Sequence, residues 1–126
     1  MIDIQKNYKS FLNSDKKENK VKIMQELTQE TFQKEVSQRE GVVVVDFYTT
    51  WCHPCKILAP IVEALSEEMK QVTFFKLNAE EHATVAAQYD IRSVPTLIVF
   101  KQGNVVDTMM GVQPKEALKK KIMSFA

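Results

Sequence analysis

The run Val42-Val43-Val44-Val45-Asp46-Phe47-Tyr48 leads directly into Trp51-Cys52-His53-Pro54-Cys55, and a helical pattern begins behind Pro54. A run this apolar does not suit a half-exposed strand. It requires a central place in a sheet with both faces covered, so the chain must supply helices to both faces. Both cysteines stand where this strand hands over to the helix. Free backbone N–H groups and the macrodipole at a helix start favour negative charge there. A thiol at that point has its pKa lowered, and the thiolate is the attacking species. Two thiols in one helical turn can close a small disulfide and reopen it. A C-x-x-C pair in an α/β pattern therefore reads as redox chemistry.

The flanking segments keep the same alternation. Lys22–Glu26 reads as a short edge strand, and Thr28 as the N-cap of a helix over Gln29–Gln38 that Gly41 stops. Pro54–Met69 is a long helix, with a kink expected near Pro60 because proline donates no N–H. Val72–Asn78 is a second buried strand and Ala83–Tyr89 a short helix. Thr96–Lys101 and Val105–Met110 are strands around the turn signal Gln102-Gly103-Asn104. Pro114 starts a last helix that runs to Met123. The order βαβαβαββα predicts an α/β fold. Its mixed sheet is expected to be parallel at the centre, to end in an antiparallel hairpin, and to carry helices on both faces.

Residues 1–21 differ from the rest. Ile4, Tyr8, Phe11 and Leu12 recur as one face of a helix, and Asn13–Lys20 is a polar, charged linker. Isolated helices this short are weak in water. We expect a marginal or self-docked helix here, ahead of a domain over residues 22–126.

Composition narrows the function classes. With 17 basic and 16 acidic residues the formal charge is +1, so no basic excess argues for nucleic acid. No apolar run approaches the ~20 residues that span a bilayer. Met1–Asn13 lacks a continuous apolar signal-peptide core, and a cytoplasmic location is expected. Two cysteines in a C-x-x-C make no structural disulfide framework. Zinc is the other chemistry open to Cys52, His53, Cys55 and His82, but the pattern lacks a second paired cluster.

Cys52, ahead of the helix, is the candidate nucleophile with an exposed sulfur. Cys55, one turn in, should be more buried and would resolve a mixed disulfide by attacking Cys52. Asp46 shares a strand face with Val44 and Tyr48, where desolvation should raise its pKa. It is either an edge-of-core carboxylate bonded to an amide or water, or a buried base.

The stretch Asp46-Phe47-Tyr48-Thr49-Thr50-Trp51-Cys52-His53-Pro54-Cys55-Lys56, with Ala59-Pro60 behind it, resembles the active-site segment of the thioredoxin family. The resemblance continues at Phe75-Lys76-Leu77-Asn78, Tyr89-Asp90-Ile91-Arg92-Ser93-Val94-Pro95-Thr96, Lys101-Gln102-Gly103 and Gly111, and covers residues 22–126. It implies a thioredoxin fold and a thiol–disulfide oxidoreductase that reduces protein disulfides through Cys52 and Cys55. It makes Asp46 the base that takes the proton of Cys55. Lys76 is then the lysine near that carboxylate, unless it snorkels to solvent. Trp51 becomes a shield over the disulfide and part of the docking surface. Val94-Pro95 becomes a cis pair beside the cysteines, with the Val94 backbone offered to an extended substrate. Pro54 and Gly111 join the substrate-facing set.

His53 stands where the family usually has glycine. Its charge would stabilise a Cys52 thiolate and make the disulfide modestly more oxidising. No bound cofactor is expected, since the chain has no dinucleotide fingerprint. By resemblance the electrons come from NADPH through a thioredoxin reductase, and the protein is a monomer. A disulfide oxidase or isomerase with a raised potential, or a non-catalytic binding subunit of the same fold, are the alternatives.

Overall fold

The computed structural model describes residues 24–126. The helix and linker expected within residues 1–21 lie outside the described residues. The elements are β1 (Gln25–Leu27), α1 (Gln29–Phe32), β2 (Val42–Tyr48), α2 (His53–Glu68), β3 (Thr73–Asn78), α3 (Ala83–Gln88), β4 (Thr96–Lys101), β5 (Asn104–Met110) and α4 (Lys115–Met123). The five strands form one sheet in the order β1-β3-β2-β4-β5. The pairings β1–β3 and β3–β2 are parallel, whereas β2–β4 and β4–β5 are antiparallel. The antiparallel character thus starts at the central strand, one pairing earlier than the hairpin.

Local chemistry sets the boundaries. Thr28 caps α1 with a capping box: its hydroxyl accepts from Thr31 N–H, and Thr31 Oγ1 accepts from Thr28 N–H. The helix predicted to run on to Gln38 widens instead into a π-helical turn over Gln33–Ser37, in which Gln38 N–H donates to Gln33 O. Gln102 and Gly103 both have positive φ, +53° and +82°, the twist that suits a two-residue hairpin turn.

Strand alternation divides the core into two layers. Val42, Val44, Leu97 and Val99 pack with Leu58, Val62 and Leu65 of α2 and with Leu118 and Ile122 of α4. Val43, Val45, Phe47, Ile98 and Phe100 pack on the other face with Phe32, Val36, Leu77 and Val85. Each fully buried Val, Leu, Ile or Phe contributes roughly 1.5–3 kcal/mol. Truncating one at the centre, such as Leu58→Ala, costs about 2–5 kcal/mol. Asp46 follows the parity of Val42 and Val44, so it faces α2.

Candidate active site

Cys52 is the N-cap of α2, with extended backbone angles (φ −89°, ψ 111°). Its Sγ accepts from Cys55 N–H at 3.1 Å, and its carbonyl accepts from Lys56 N–H at 3.3 Å. Pro54 lies in the first turn, where its missing N–H costs nothing. Cys52 and Cys55 are joined in a disulfide, with Cα atoms 5.3 Å apart. The expected contrast in exposure is absent. Cys52 is 3% exposed and Cys55 4%, because neighbouring chain covers Cys52 and brings the Val94 carbonyl to 3.6 Å from its Sγ.

What separates the two cysteines is the cavity each one lines. Cys52 lines a groove of about 850 Å³, together with Trp51, His53, Pro54, Arg92 and Val94. Trp51 is 70% exposed, so it is surface and not core. Its indole N–H donates to Glu80 Oε2 at 2.5 Å, which fixes the ring on the groove wall. The Val94–Pro95 bond is cis, as the resemblance implies. Pro95 O accepts from Gly111 N–H at 2.9 Å, so the loop after β5 is tied to the cis-proline loop. Thr96 Oγ1 donates to Ser93 O at 2.8 Å from the other side.

Cys55 lines a second cavity, of about 250 Å³, with Asp46, Thr49, Glu63 and Lys76. Cys55, Ala59 and Glu63 recur every four residues on the face of α2 that looks at β2. Asp46 is buried, and its Oδ1 has no hydrogen-bond partner. Burial lifts its pKa from the ordinary 3.8 to about 7, and the Lys76 charge offsets part of that rise. Lys76 is the register partner of Asp46 across the β2–β3 pairing. Its ammonium lies 5.8 Å from the centre of the Tyr48 ring, so it sits near the carboxylate with its head on an aromatic face.

Two features escaped the sequence reading. Glu80, which holds Trp51, lies 29 residues away and carries no local signal. Thr49 is a buried hydroxyl without a partner, inside the quoted motif but given no role there. Tyr48 also donates through its phenol to Glu26 on β1. His82, considered as a metal ligand, is the N-cap residue of α3. Among the described residues no group of three or more His, Cys, Asp or Glu is arranged to hold a metal ion, and no helix is long and apolar enough to cross a membrane.

A disulfide at a helix start, one sulfur on an open groove and the other beside a buried carboxylate, defines a thiol–disulfide oxidoreductase. The thioredoxin family profile matches residues 23–124. The chain is 45% identical over 92 residues to a thioredoxin of Bacillus subtilis, covering 72% of this chain and 86% of that one. It is 42% identical over 94 residues to a thioredoxin of Porphyra purpurea, covering 74% and 88%. The solved structure of a mutant thioredoxin from Halobacterium salinarum superposes with a TM-score of 0.75 at 36% identity, over 80% of this chain and 88% of that one. The chain belongs to the thioredoxin family, and its activity is that of a protein-disulfide reductase.

Proposed function

We propose that Cys52 is the nucleophile, Cys55 the resolving thiol and Asp46 the base that serves Cys55. The Cys52 thiolate attacks a substrate disulfide. One substrate sulfur leaves as a thiolate, and a Cys52–substrate disulfide forms. Cys55 then gives its proton to Asp46 and attacks Cys52 Sγ. The second substrate sulfur leaves, and the Cys52–Cys55 disulfide closes. The substrate has gained two electrons, with protons from Asp46 and solvent. The observation that carries this reading is the split of the two sulfurs between the groove and the Asp46 cavity. A carboxyl group with a pKa of about 7 is poised to take a proton at neutral pH.

Lys76 keeps Asp46 from rising further and so keeps it usable as a base. Trp51, His53, Pro54, Val94, Pro95 and Gly111 form the surface that meets the substrate strand. The cycle closes when a thioredoxin reductase returns electrons from NADPH, with no cofactor held by this chain. We further propose a cytoplasmic monomer whose catalytic domain is residues 22–126, with residues 1–21 as an extension, serving electron transport and redox homeostasis.

The test uses insulin as the disulfide probe. With NADPH and a thioredoxin reductase, or with dithiothreitol, the wild type should turn over, and the Cys52→Ser/Cys55→Ser double variant should not. No turnover of the wild type with either reductant would sink the reading. Insulin turnover that survives the double substitution would remove Cys52 and Cys55 from the chemistry, whereas a cellular role that survives it while turnover is lost would favour a binding subunit.

A further inference from the structure

Thr49 is the residue common to the linings of both cavities, the Cys52 groove and the Asp46–Cys55 chamber. It is 7% exposed, and Asp46 is 5% exposed. Among the described residues, Thr49 Oγ1 and Asp46 Oδ1 are the two buried side-chain oxygen or nitrogen atoms that have no hydrogen-bond partner. Both residues line the same chamber. Buried polar groups are rarely left unpaired, since each such group costs about 1–3 kcal/mol. A chamber of about 250 Å³ has room for several waters at ~30 Å³ each, and two or more polar partners suffice to order one. Asp46 and Thr49 bring a carboxyl and a hydroxyl to the lining of this chamber. A hydroxyl both donates and accepts, so it suits a position beside a carboxylate that alternates between charged and neutral forms.

We infer that Thr49 is a positioning residue for the resolving step: its hydroxyl holds the water through which the Cys55 proton reaches Asp46. This rests on the assignment of Asp46 and Cys55 proposed above. In the step, the Cys55 S–H bond breaks and the water takes that proton. The water passes a proton on to the Asp46 carboxylate. The Cys55 thiolate attacks Cys52 Sγ, the Cys52–Cys55 bond forms, and the substrate sulfur leaves with the electron pair of the bond it loses. Thr49 gives up no net proton. Attack by Cys52 on the substrate needs no proton from Cys55, and Thr49→Val keeps the shape that Thr49 gives to the groove wall, so loss of the hydroxyl should leave that step unchanged.

The test separates the two steps in single turnovers with a fluorogenic disulfide peptide. Formation of the mixed disulfide is followed in the Cys55→Ser background, and its resolution in the chain that keeps both cysteines. Thr49→Val removes the hydroxyl at nearly constant shape, and Thr49→Ser keeps it. Loss of one positioned hydrogen bond predicts resolution slowed by about five- to tenfold in Thr49→Val, with formation unchanged. Thr49→Ser should resolve within about twofold of wild type. The pH profile of resolution should also move upward in Thr49→Val, because Asp46 loses a polar neighbour; a role in packing alone leaves that profile in place. Resolution at the wild-type rate in Thr49→Val overturns the inference, and so does equal slowing of both steps that Thr49→Ser fails to rescue. If Thr49→Val does not fold, Thr49→Ala gives the same readout. Wild-type turnover with insulin distinguishes the outcomes. Its absence refutes the reductase assignment, and its presence with an unaffected Thr49→Val refutes only the role of Thr49.

Discussion

Replacing Asp46 with asparagine keeps the shape of the side chain and removes its charge. In the folded chain the Asp46 carboxyl has a pKa of about 7, raised from the ordinary 3.8 by burial. Below the ordinary value both folded and unfolded chains hold the proton, and Asp46 sets no pH dependence. Between 3.8 and about 7 the folded chain keeps the proton that the unfolded chain has lost, so stability falls as pH rises. Above about 7 the whole penalty is in place. Each pKa unit carries ~1.4 kcal/mol, which gives about 4 kcal/mol as an upper bound, since the effective dielectric around a buried charge exceeds that of a dry interior. Asp46→Asn should therefore be more stable than wild type by about 2–4 kcal/mol near pH 8.5, with a melting temperature higher by on the order of 10 °C. Near pH 4 most of that advantage should be gone. The assay is denaturant unfolding of the oxidised protein across this range. Every other titrating group is common to both proteins and cancels in the difference. Parallel stability curves from about pH 4 to pH 8.5 would refute the claim that Asp46 is held neutral by burial. The same variant should slow resolution of the mixed disulfide by roughly 10²-fold and leave its formation nearly untouched; equal slowing of both would remove Asp46 from the service of Cys55.

Three further outcomes are expected. His53→Gly should lower the reduction potential of the Cys52–Cys55 pair by on the order of 20 mV, measured against glutathione. No shift, or one of opposite sign, would leave His53 a tolerated surface residue. Deleting residues 1–20 should leave insulin reduction and melting temperature close to wild type, and a large loss in either would tie the Ile4, Tyr8, Phe11, Leu12 face to the domain core. Gly103 has φ +82°, and a Cβ there would run into the Ser37 carbonyl, so Gly103→Ala should cost about 1–3 kcal/mol in unfolding experiments without changing the potential.

The elements were legible because their signals are local. The Val42–Tyr48 run, the Thr28 cap and the turn before Asn104 each announce themselves within a few residues. The long β2 run also told that both of its faces would be covered, and the two core layers satisfy that. The partner of a strand is not local, and so the sequence does not say that β2 pairs in parallel with β3 and antiparallel with β4. Nor did periodicity reveal the π-helical turn at Gln33–Ser37, since Phe32 and Val36 keep an ordinary helical spacing. In the site, Cys52, Cys55, Asp46 and the cis Val94–Pro95 bond followed from motifs. Glu80 did not, because it reaches Trp51 only once β3 and the loop behind it are in place. The expected contrast in exposure between the cysteines failed for a related reason. Helix position says which sulfur comes first, but cover over Cys52 comes from Val94, 42 residues later in the chain.

The topology is consistent with the proposed division of work between two equally buried sulfurs. The C-terminal ends of β2 and β3 and the N-terminal end of β4 lie at one edge of the sheet, as the registers Tyr48↔Asn78 and Phe47↔Thr96 require. Loops leaving that edge bring together Trp51, Glu80 and Val94 around Cys52. Cys55 is one turn further into α2, and a helix turn advances about 5.4 Å along the axis. That step carries it past the loop and over β2, where strand parity has already turned Asp46 toward the helix. A protein strand lying in the groove therefore covers Cys52 without filling the chamber that holds Asp46. In the proposed mechanism Asp46 then stays reachable from Cys55 while the substrate is still attached, the moment when the resolving thiol must lose its proton. An arrangement with both sulfurs on the groove would expose the resolving thiol to the substrate as well. It would also leave no site shielded from bulk solvent in which a carboxylate could rise to about 7 and act as a base at neutral pH.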